Sequence, residues 1–159
     1  MRLYHGSNGA VKSPVIMPLV RSLDFGQAFY LTSDFEQAKK WARTSVLRRG
    51  DGVAVVTSFE FDETKSPELK CLRFDAPTVE WLRFVCANRN LGIDDRSYDV
   101  VSGPVANDNT MPVLNLYFKG AYTEEEALKR LLPQRLRDQF AFKTDRALRR
   151  LEFIEEICV

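Results

Sequence analysis

The sequence has a single histidine, few cysteines and almost no net charge. Its 23 basic and 22 acidic side chains nearly cancel, so no overall field draws the chain to nucleic acid or to an anionic membrane. Cys71, Cys86 and Cys158 are odd in number and have no C-x-x-C spacing, which argues against a disulfide framework and a zinc site. We therefore expect a reducing environment and no bound metal.

Long apolar runs are also missing. No run approaches the ~20 residues that a membrane helix needs, and the first residues contain no signal-peptide core. We therefore expect a cytoplasmic site of action and no membrane partner. The 159 residues are 45% hydrophobic and 28% charged, which is typical of one folded domain over residues 1–159.

Short strands and amphipathic helices follow one another irregularly. Aromatic and β-branched segments predict strands at residues 3–5, 28–32, 53–61, 69–74, 98–102, 140–143 and 152–157. Helical spacing, with capping boxes at Ser33/Glu36 and Thr123/Glu126, predicts helices at residues 34–48, 77–88, 113–117, after 123, and at 145–150. Because strands and helices do not alternate regularly, we expect an α+β fold rather than a doubly wound parallel sheet.

Any imidazole chemistry must use His5, which ends the first strand and precedes a glycine. A hydrogen-bonded structural histidine is the alternative. Further along, the segment L-D-F-G-Q-A-F-Y-L-T at residues 23–32 places a glycine turn before an aromatic strand, and the next helix carries Trp41.

Together these segments resemble the ADP-ribosyltransferase superfamily of the H-Y-E type, which includes diphtheria-like toxins and poly(ADP-ribose) polymerases. H-G-S at residues 5–7 matches one motif, and F-G-x-x-F-Y-L at residues 25–31 matches F-G-x-G-I-Y-F, with Ala28 at the second glycine. L-Y-H-G-S, L-D-F-G-x-x-F-Y-L-T, Q-A-x-x-W-A and G-P-V-A-N-D are also similar to an uncharacterised bacterial family of ADP-ribosyltransferase-like toxins. The resemblance implies a split β-sheet with flanking helices and NAD as co-substrate.

The resemblance also implies which residues bind NAD: His5, Gly6, Ser7, Arg21, Gly26, Tyr30 and Trp41. In this interpretation the His5 ring donates a hydrogen bond to a ribose hydroxyl, and Ser7 adds a hydroxyl contact. Gly6 leaves room for NAD to approach and pairs its backbone with the nicotinamide carboxamide.

Two aromatic residues complete the expected NAD site. Tyr30 and Trp41 would stack on the two faces of the nicotinamide ring, although core packing is the alternative for both. Arg21 would bind the pyrophosphate by bidentate contacts, or else be a solvated arginine.

The third catalytic element departs from the family pattern. The family has a glutamate that binds the ribose 2'-hydroxyl and stabilises the transition state, and here the segment D-Q-F-A-F puts Gln139 in its place. A glutamine carbonyl accepts the same hydrogen bond but supplies no charge, so we expect Gln139→Glu to raise turnover. Asp108 is the candidate substitute acid, with an Asx-turn residue as the alternative.

The resemblance implies an NAD-dependent mono-ADP-ribosyltransferase, an enzyme of the glycosyltransferase class, and it also implies action as a bacterial toxin or effector. Its expected partners are a macromolecular acceptor, protein rather than nucleic acid, and an antitoxin or immunity protein. A catalytically inactive module that binds NAD or ADP-ribose is the alternative. A hydrolase built on His5 and Cys71 or Cys86 is disfavoured because neither cysteine lies in a nucleophile motif.

Basic side chains are concentrated between residues 129 and 150. Such a cluster either forms solvated helix faces balanced by nearby acids or presents a patch to nucleic acid or to an acidic partner. The sequence leaves both possibilities open.

Overall fold

The computed structural model describes residues 1–18, 23–91, 97–106, 109–133 and 136–159. In these ranges the strands are β1 (Arg2–Ser7), β2 (Phe29–Leu31), β3 (Val55–Glu60), β4 (Cys71–Arg73), β5 (Val100–Pro104), β6 (Asp138–Phe142) and β7 (Glu152–Cys158). The helices are α1 (Phe35–Arg49), α2 (Val79–Leu91), α3 (Met111–Phe118), α4 (Glu124–Leu131) and α5 (Asp145–Leu148), with a 3₁₀ turn at Glu63–Lys65. None of these helices has the length and apolar character that crossing a membrane requires.

The strands form two sheets, so the fold is α+β as expected. The first sheet is antiparallel with the order β1-β3-β7, and the second has the order β2-β6-β5-β4, in which β4 and β5 are parallel. The connection from β4 to β5 passes through α2, because parallel neighbours need a crossover.

A backbone bridge between Tyr4 and Thr32 joins the two sheets. The two residues exchange N–H···O=C hydrogen bonds of 2.8 and 3.0 Å. The β1–β2 pairing does not continue past this bridge toward Gly6 and Tyr30. We call the resulting gap between β1 and β2 the split.

Apolar side chains arrange these elements in four layers. Between the sheets lies a core that includes Leu3, Phe29, Leu31, Phe59 and Phe142. The outer face of the second sheet packs on α2, α3 and α4 through Trp81, Leu82, Val101, Leu114 and Leu131. Helix α1 covers the outer face of the first sheet through Ala38, Ala42 and Val56. The split therefore opens between α1 on one side and the α2–α4 layer on the other.

One of the two predicted capping boxes is confirmed and one is wrong. At α4, Thr123 and Glu126 form the reciprocal box. At α1 the cap is Asp34, whose side chain accepts from the Gln37 N–H at 3.0 Å. Ser33 does not cap α1, because its N–H and hydroxyl both donate to the Asp138 carboxylate at the start of β6.

Most of the basic cluster at residues 129–150 is paired within the described residues. The ion pairs are Lys129–Glu125, Arg137–Asp34, Arg146–Asp99 and Arg150–Glu68, and Arg130 lies over the Tyr122 ring. Arg135 lies outside the described residues. The cluster is thus a set of separate ion pairs to different elements, which favours the solvated-face interpretation.

A buried carboxylate, Asp99, ties three segments together just before β5. It accepts from the Arg146 guanidinium at 2.6 and 2.5 Å, from the Thr144 hydroxyl at 2.6 Å and from the Lys70 N–H at 2.8 Å. Burial alone raises the pKa of Asp99, but these donors outweigh it and lower the pKa to about 2.

Arg146→Ala should destabilise the fold measurably, because it leaves the buried Asp99 carboxylate without its main partner. In the wild type, the stabilisation from Asp99 is complete above its ordinary pKa of 3.8 and is lost as the pH falls toward about 2. Urea unfolding at neutral and acid pH measures both effects.

Arg150→Ala is the matched control, since the Arg150–Glu68 pair is exposed and should contribute little to stability. Equal losses in the two variants would contradict a special role for the Asp99 network.

Candidate functional site

A cleft of about 360 Å³ lies at the split. This volume is within the range of about 300–1,000 Å³ that is typical of small-molecule sites. The residues expected from the sequence that line it are His5, Gly6, Tyr30, Trp41 and Gln139. They come from β1, β2, α1 and β6, so strands and a helix that are distant in sequence bring the expected residues to one place.

His5 is fixed at the split by its own ring. Its Nδ1 lies 2.8 Å from the backbone oxygen of Tyr30, and the ring stacks on Phe29 with centroids 4.3 Å apart. A carbonyl oxygen can only accept, so Nδ1 carries the hydrogen. Burial lowers the pKa of His5, although the bond to Tyr30 opposes this effect, so the imidazole is neutral at pH 7.

The tautomer determines what His5 offers to a ligand. With the hydrogen on Nδ1, the Nε2 atom of the neutral ring is an acceptor. A ribose hydroxyl would therefore donate to His5, the reverse of the direction expected from the sequence.

Gly6 has two roles, and only one was expected. A Cβ at this position would lie 1.9 Å from the backbone oxygen of Ala38, so the glycine is required by the packing of α1 on β1. Backbone groups alternate along a strand, so the N–H and C=O of Gly6 point to the same edge as those of Tyr4. Because the pairing of β1 with β2 stops at Tyr4, the N–H and C=O of Gly6 have no partner in this ladder. These two backbone groups therefore face the split.

Tyr30 and Trp41 line the cleft from β2 and from α1. The Tyr30 hydroxyl donates to the Gly26 carbonyl at 2.7 Å and accepts from the Phe25 N–H at 3.2 Å. Gly26 has φ 78°, a left-handed conformation that favours glycine. Gly26 thus forms the turn that holds Tyr30. It was expected to bind NAD, but it is not among the residues that line the cleft.

Of the other residues that the sequence analysis considered, Ser7 does not line the described part of the cleft. The Ser7 hydroxyl donates to the Gly9 carbonyl. Arg21 and Asp108 lie outside the described residues. Cys71 does not line the cleft, and burial raises its pKa to about 11, which makes it a poor nucleophile.

Gln139 is held by Asp24, a residue that the sequence reasoning passed over. Asp24 is 2% exposed, and its Oδ2 accepts from the Gln139 Nε2 at 2.8 Å and from the Ala106 N–H at 2.7 Å. Its Oδ1 accepts from the Arg89 Nε at 2.5 Å. The cleft therefore contains a buried carboxylate, but one already bound by three donors.

Two arginines that were not expected also line the cleft, Arg48 from α1 and Arg89 from α2. Within the described residues Arg48 has no acidic partner, and its side chain is exposed. Trp41, Thr44, Ser45 and Arg48 follow the i, i+3, i+4, i+7 spacing of one helix face, a pattern that could have found Arg48.

Trp81 is closer to the site than its place in a separate helix suggests. It is fully buried, and its Nε1 donates to the Pro104 carbonyl at 3.0 Å, the same oxygen that lies 3.5 Å from the Gln139 Nε2. Helix α2 packs directly on the sheet that carries Gln139, and this packing brings Trp81 close to the cleft.

Residues 1–153 match the model of the family described as "Protein of unknown function (DUF3990)". The chain belongs to this family. No curated protein and no solved structure matches it. The matched range includes every element that builds the cleft.

Gly6→Ala should destabilise the protein by about 3 kcal/mol, the upper end for overpacking, since the new methyl group would meet the backbone of α1. Gly9→Ala is the control, because a Cβ at Gly9 meets nothing within 4 Å. Thermal unfolding of the two variants measures the difference. A Gly6→Ala protein as stable as the Gly9→Ala protein would contradict the packing role.

The single histidine allows a direct test of the tautomer. Heteronuclear NMR of the imidazole should show one neutral ring at pH 7 with its hydrogen on Nδ1, and a pKa below the ordinary 6.5. A ring that titrates above 6.5, or one protonated on Nε2 when neutral, would contradict the geometry described here.

Proposed function

We propose that the chain is an NAD-dependent mono-ADP-ribosyltransferase with an ADP-ribosyltransferase-like split sheet. One observation carries the proposal: the split brings together in a single cleft a backbone edge that the described strands leave unpaired, two aromatic rings and a neutral histidine acceptor. These groups complement, in turn, the carboxamide, the ring and the ribose of the nicotinamide half of NAD.

The nicotinamide end of the substrate fits the edge of β1. A carboxamide has one donor and one acceptor group, and the N–H and C=O of Gly6 can pair with both. The rings of Tyr30 and Trp41 offer apolar faces to the planar base, each worth about 0.5–1.5 kcal/mol beyond burial.

The remaining groups suit ribose and phosphate. The Nε2 of His5 accepts from a ribose hydroxyl, which fixes the sugar relative to the base. Arg48 and the terminal nitrogens of Arg89 provide positive charge at the cleft, and a guanidinium binds phosphate oxygens in pairs. Arg48 and Arg89 thus take the role that the resemblance gave to Arg21.

The proposed reaction breaks the bond between ribose and nicotinamide. Nicotinamide leaves with the electron pair, the acceptor's lone pair forms the new bond to the ribose carbon, and the acceptor's proton passes to water. His5 and Gly6 hold the sugar and the base in line for this step. The Gln139 carbonyl accepts from the ribose 2'-hydroxyl as positive charge develops on the sugar.

A catalytically inactive module that binds NAD or ADP-ribose is the second candidate. It is favoured by Gln139, which stands where the resemblance implies a glutamate, and by the engagement of Asp24 with three donors. The two candidates differ in a measurable product, free nicotinamide.

The biological role that we propose is that of a bacterial toxin or effector. It rests on the resemblance of the sequence motifs, which also suggests an antitoxin or immunity protein as a partner. A protein acceptor is favoured over nucleic acid, because most of the basic residues between 129 and 150 in the described chain are engaged in separate contacts.

His5→Asn is the sharpest test of the cleft. The asparagine amide can still donate to the Tyr30 carbonyl from the position of Nδ1, but the Nε2 acceptor is lost. We expect near-normal stability and a loss of ~10²-fold or more in nicotinamide release from NAD in the presence of cell lysate. Leu47→Ala is the control. Leu47 lies on α1 but is 83% exposed, so this change should leave the rate of nicotinamide release unchanged.

Calorimetry with NAD and mass spectrometry of the lysate complete the experiment. Binding without nicotinamide release in any lysate would favour the inactive module. If the wild type binds neither NAD nor, in a parallel titration, ADP-ribose, both candidates are wrong.

A further inference from the structure

We propose that Asp24 is a positioning residue that orients the Gln139 carboxamide and supplies the fixed negative charge that glutamine lacks. The inference rests on the proposed function of the cleft. It assigns to a hydrogen-bonded pair, Asp24 and Gln139, the role that a single carboxylate would otherwise perform.

The contacts of Asp24 single it out from the other acids. Its partners come from three separate elements: Arg89 from α2, Ala106 after β5, and Gln139 from β6. Its carboxylate is buried, and burying a charge is costly unless donors compensate. The two oxygens take different partners, since Oδ1 binds Arg89 and Oδ2 binds Ala106 and Gln139.

This arrangement decides which way the Gln139 amide faces. Its Nε2 lies 2.8 Å from Asp24 Oδ2 and 3.5 Å from the Pro104 oxygen, and both of these atoms can only accept. The reversed amide would set its oxygen against two other oxygens. The carbonyl oxygen of Gln139 is therefore the atom available to the cleft that the residue lines.

Asp24 also makes the Gln139 carbonyl oxygen a stronger hydrogen-bond acceptor. The terminal torsion of a glutamine is broad. Without a partner, the side-chain amide would therefore rotate and present either its nitrogen or its oxygen to the cleft. Donation to a carboxylate polarises the amide and increases the negative charge on its oxygen. The carboxylate itself lies at the wall of the cleft, one hydrogen bond from the Gln139 amide, where it stabilises developing positive charge on the sugar.

The pairing leads to a prediction for Gln139→Glu that differs from the one made from the sequence. In Gln139→Glu, two carboxylates would meet at the Asp24–Gln139 contact, and one of them would hold a proton. We therefore expect no gain in turnover from Gln139→Glu alone.

Asp24→Asn, Gln139→Glu and the double variant test the proposal. Asp24→Asn should lower kcat for nicotinamide release by ~10²-fold with little change in KM for NAD. In the double variant the new asparagine donates to the new glutamate, and a charged oxygen faces the cleft. We expect its kcat to recover at least ~10-fold over Asp24→Asn. A purely structural role for Asp24 predicts no such recovery.

Asp99→Asn is the matched control, because Asp99 is also a buried carboxylate held by an arginine and a backbone N–H but does not line the cleft. It should lower thermal stability and leave kcat unchanged.

A second measurement is independent of turnover. The side-chain amide protons of Gln139, assigned by their loss in Gln139→Glu, should exchange slowly in the wild type and faster in Asp24→Asn. Unchanged exchange in Asp24→Asn overturns the orientation that we assign to Asp24. Unchanged kcat in Asp24→Asn overturns its role in turnover, whereas a wild type that releases no nicotinamide overturns the proposed function instead.

Discussion

The hydrogen bond from the His5 ring to the Tyr30 carbonyl is the contact on which the cleft depends. One residue earlier, Tyr4 and Thr32 pair as neighbours in an antiparallel ladder. If the ladder continued, Gly6 would pair with Tyr30 and the two sheets would merge. The imidazole instead takes the Tyr30 oxygen, so the edge of β1 at Gly6 stays open. The described β1–β2 pairing thus ends where a side chain, rather than a backbone group, takes the Tyr30 oxygen.

In helix α1, the packing against the first sheet also determines which face lines the cleft. The close approach of β1 and α1, with Gly6 against Ala38, sets the height and rotation of the helix above the strand. The face with Trp41 and Arg48 is directed to the cleft because the Ala38 and Ala42 side is buried on the sheet. The small residues of the interface therefore determine where the aromatic ring and the positive charge lie.

Local patterns predicted the parts of the structure that local interactions determine. The helices and strands lie within a few residues of their expected bounds, and His5, Tyr30 and Trp41 were found because each stands in a short motif. Asp24 and Arg89 were missed because no local pattern encodes their contacts. Asp24 is 65 positions from Arg89 and 115 positions from Gln139 in the sequence. Gly6 was singled out as an NAD contact, whereas the requirement for a glycine in the packing of α1 on β1 is one that only the fold reveals.

The position of β6 in the chain has a consequence for biosynthesis. β2, β5 and Asp24 all find their partners in β6, although they precede it by tens of residues. Such long-range pairing forms late, after loop closure over most of the domain. On the ribosome, a nascent chain that lacks residues 138–142 has neither the second sheet nor the inner wall of the cleft. Whatever the cleft does, the growing polypeptide cannot do it until nearly the whole domain has been translated.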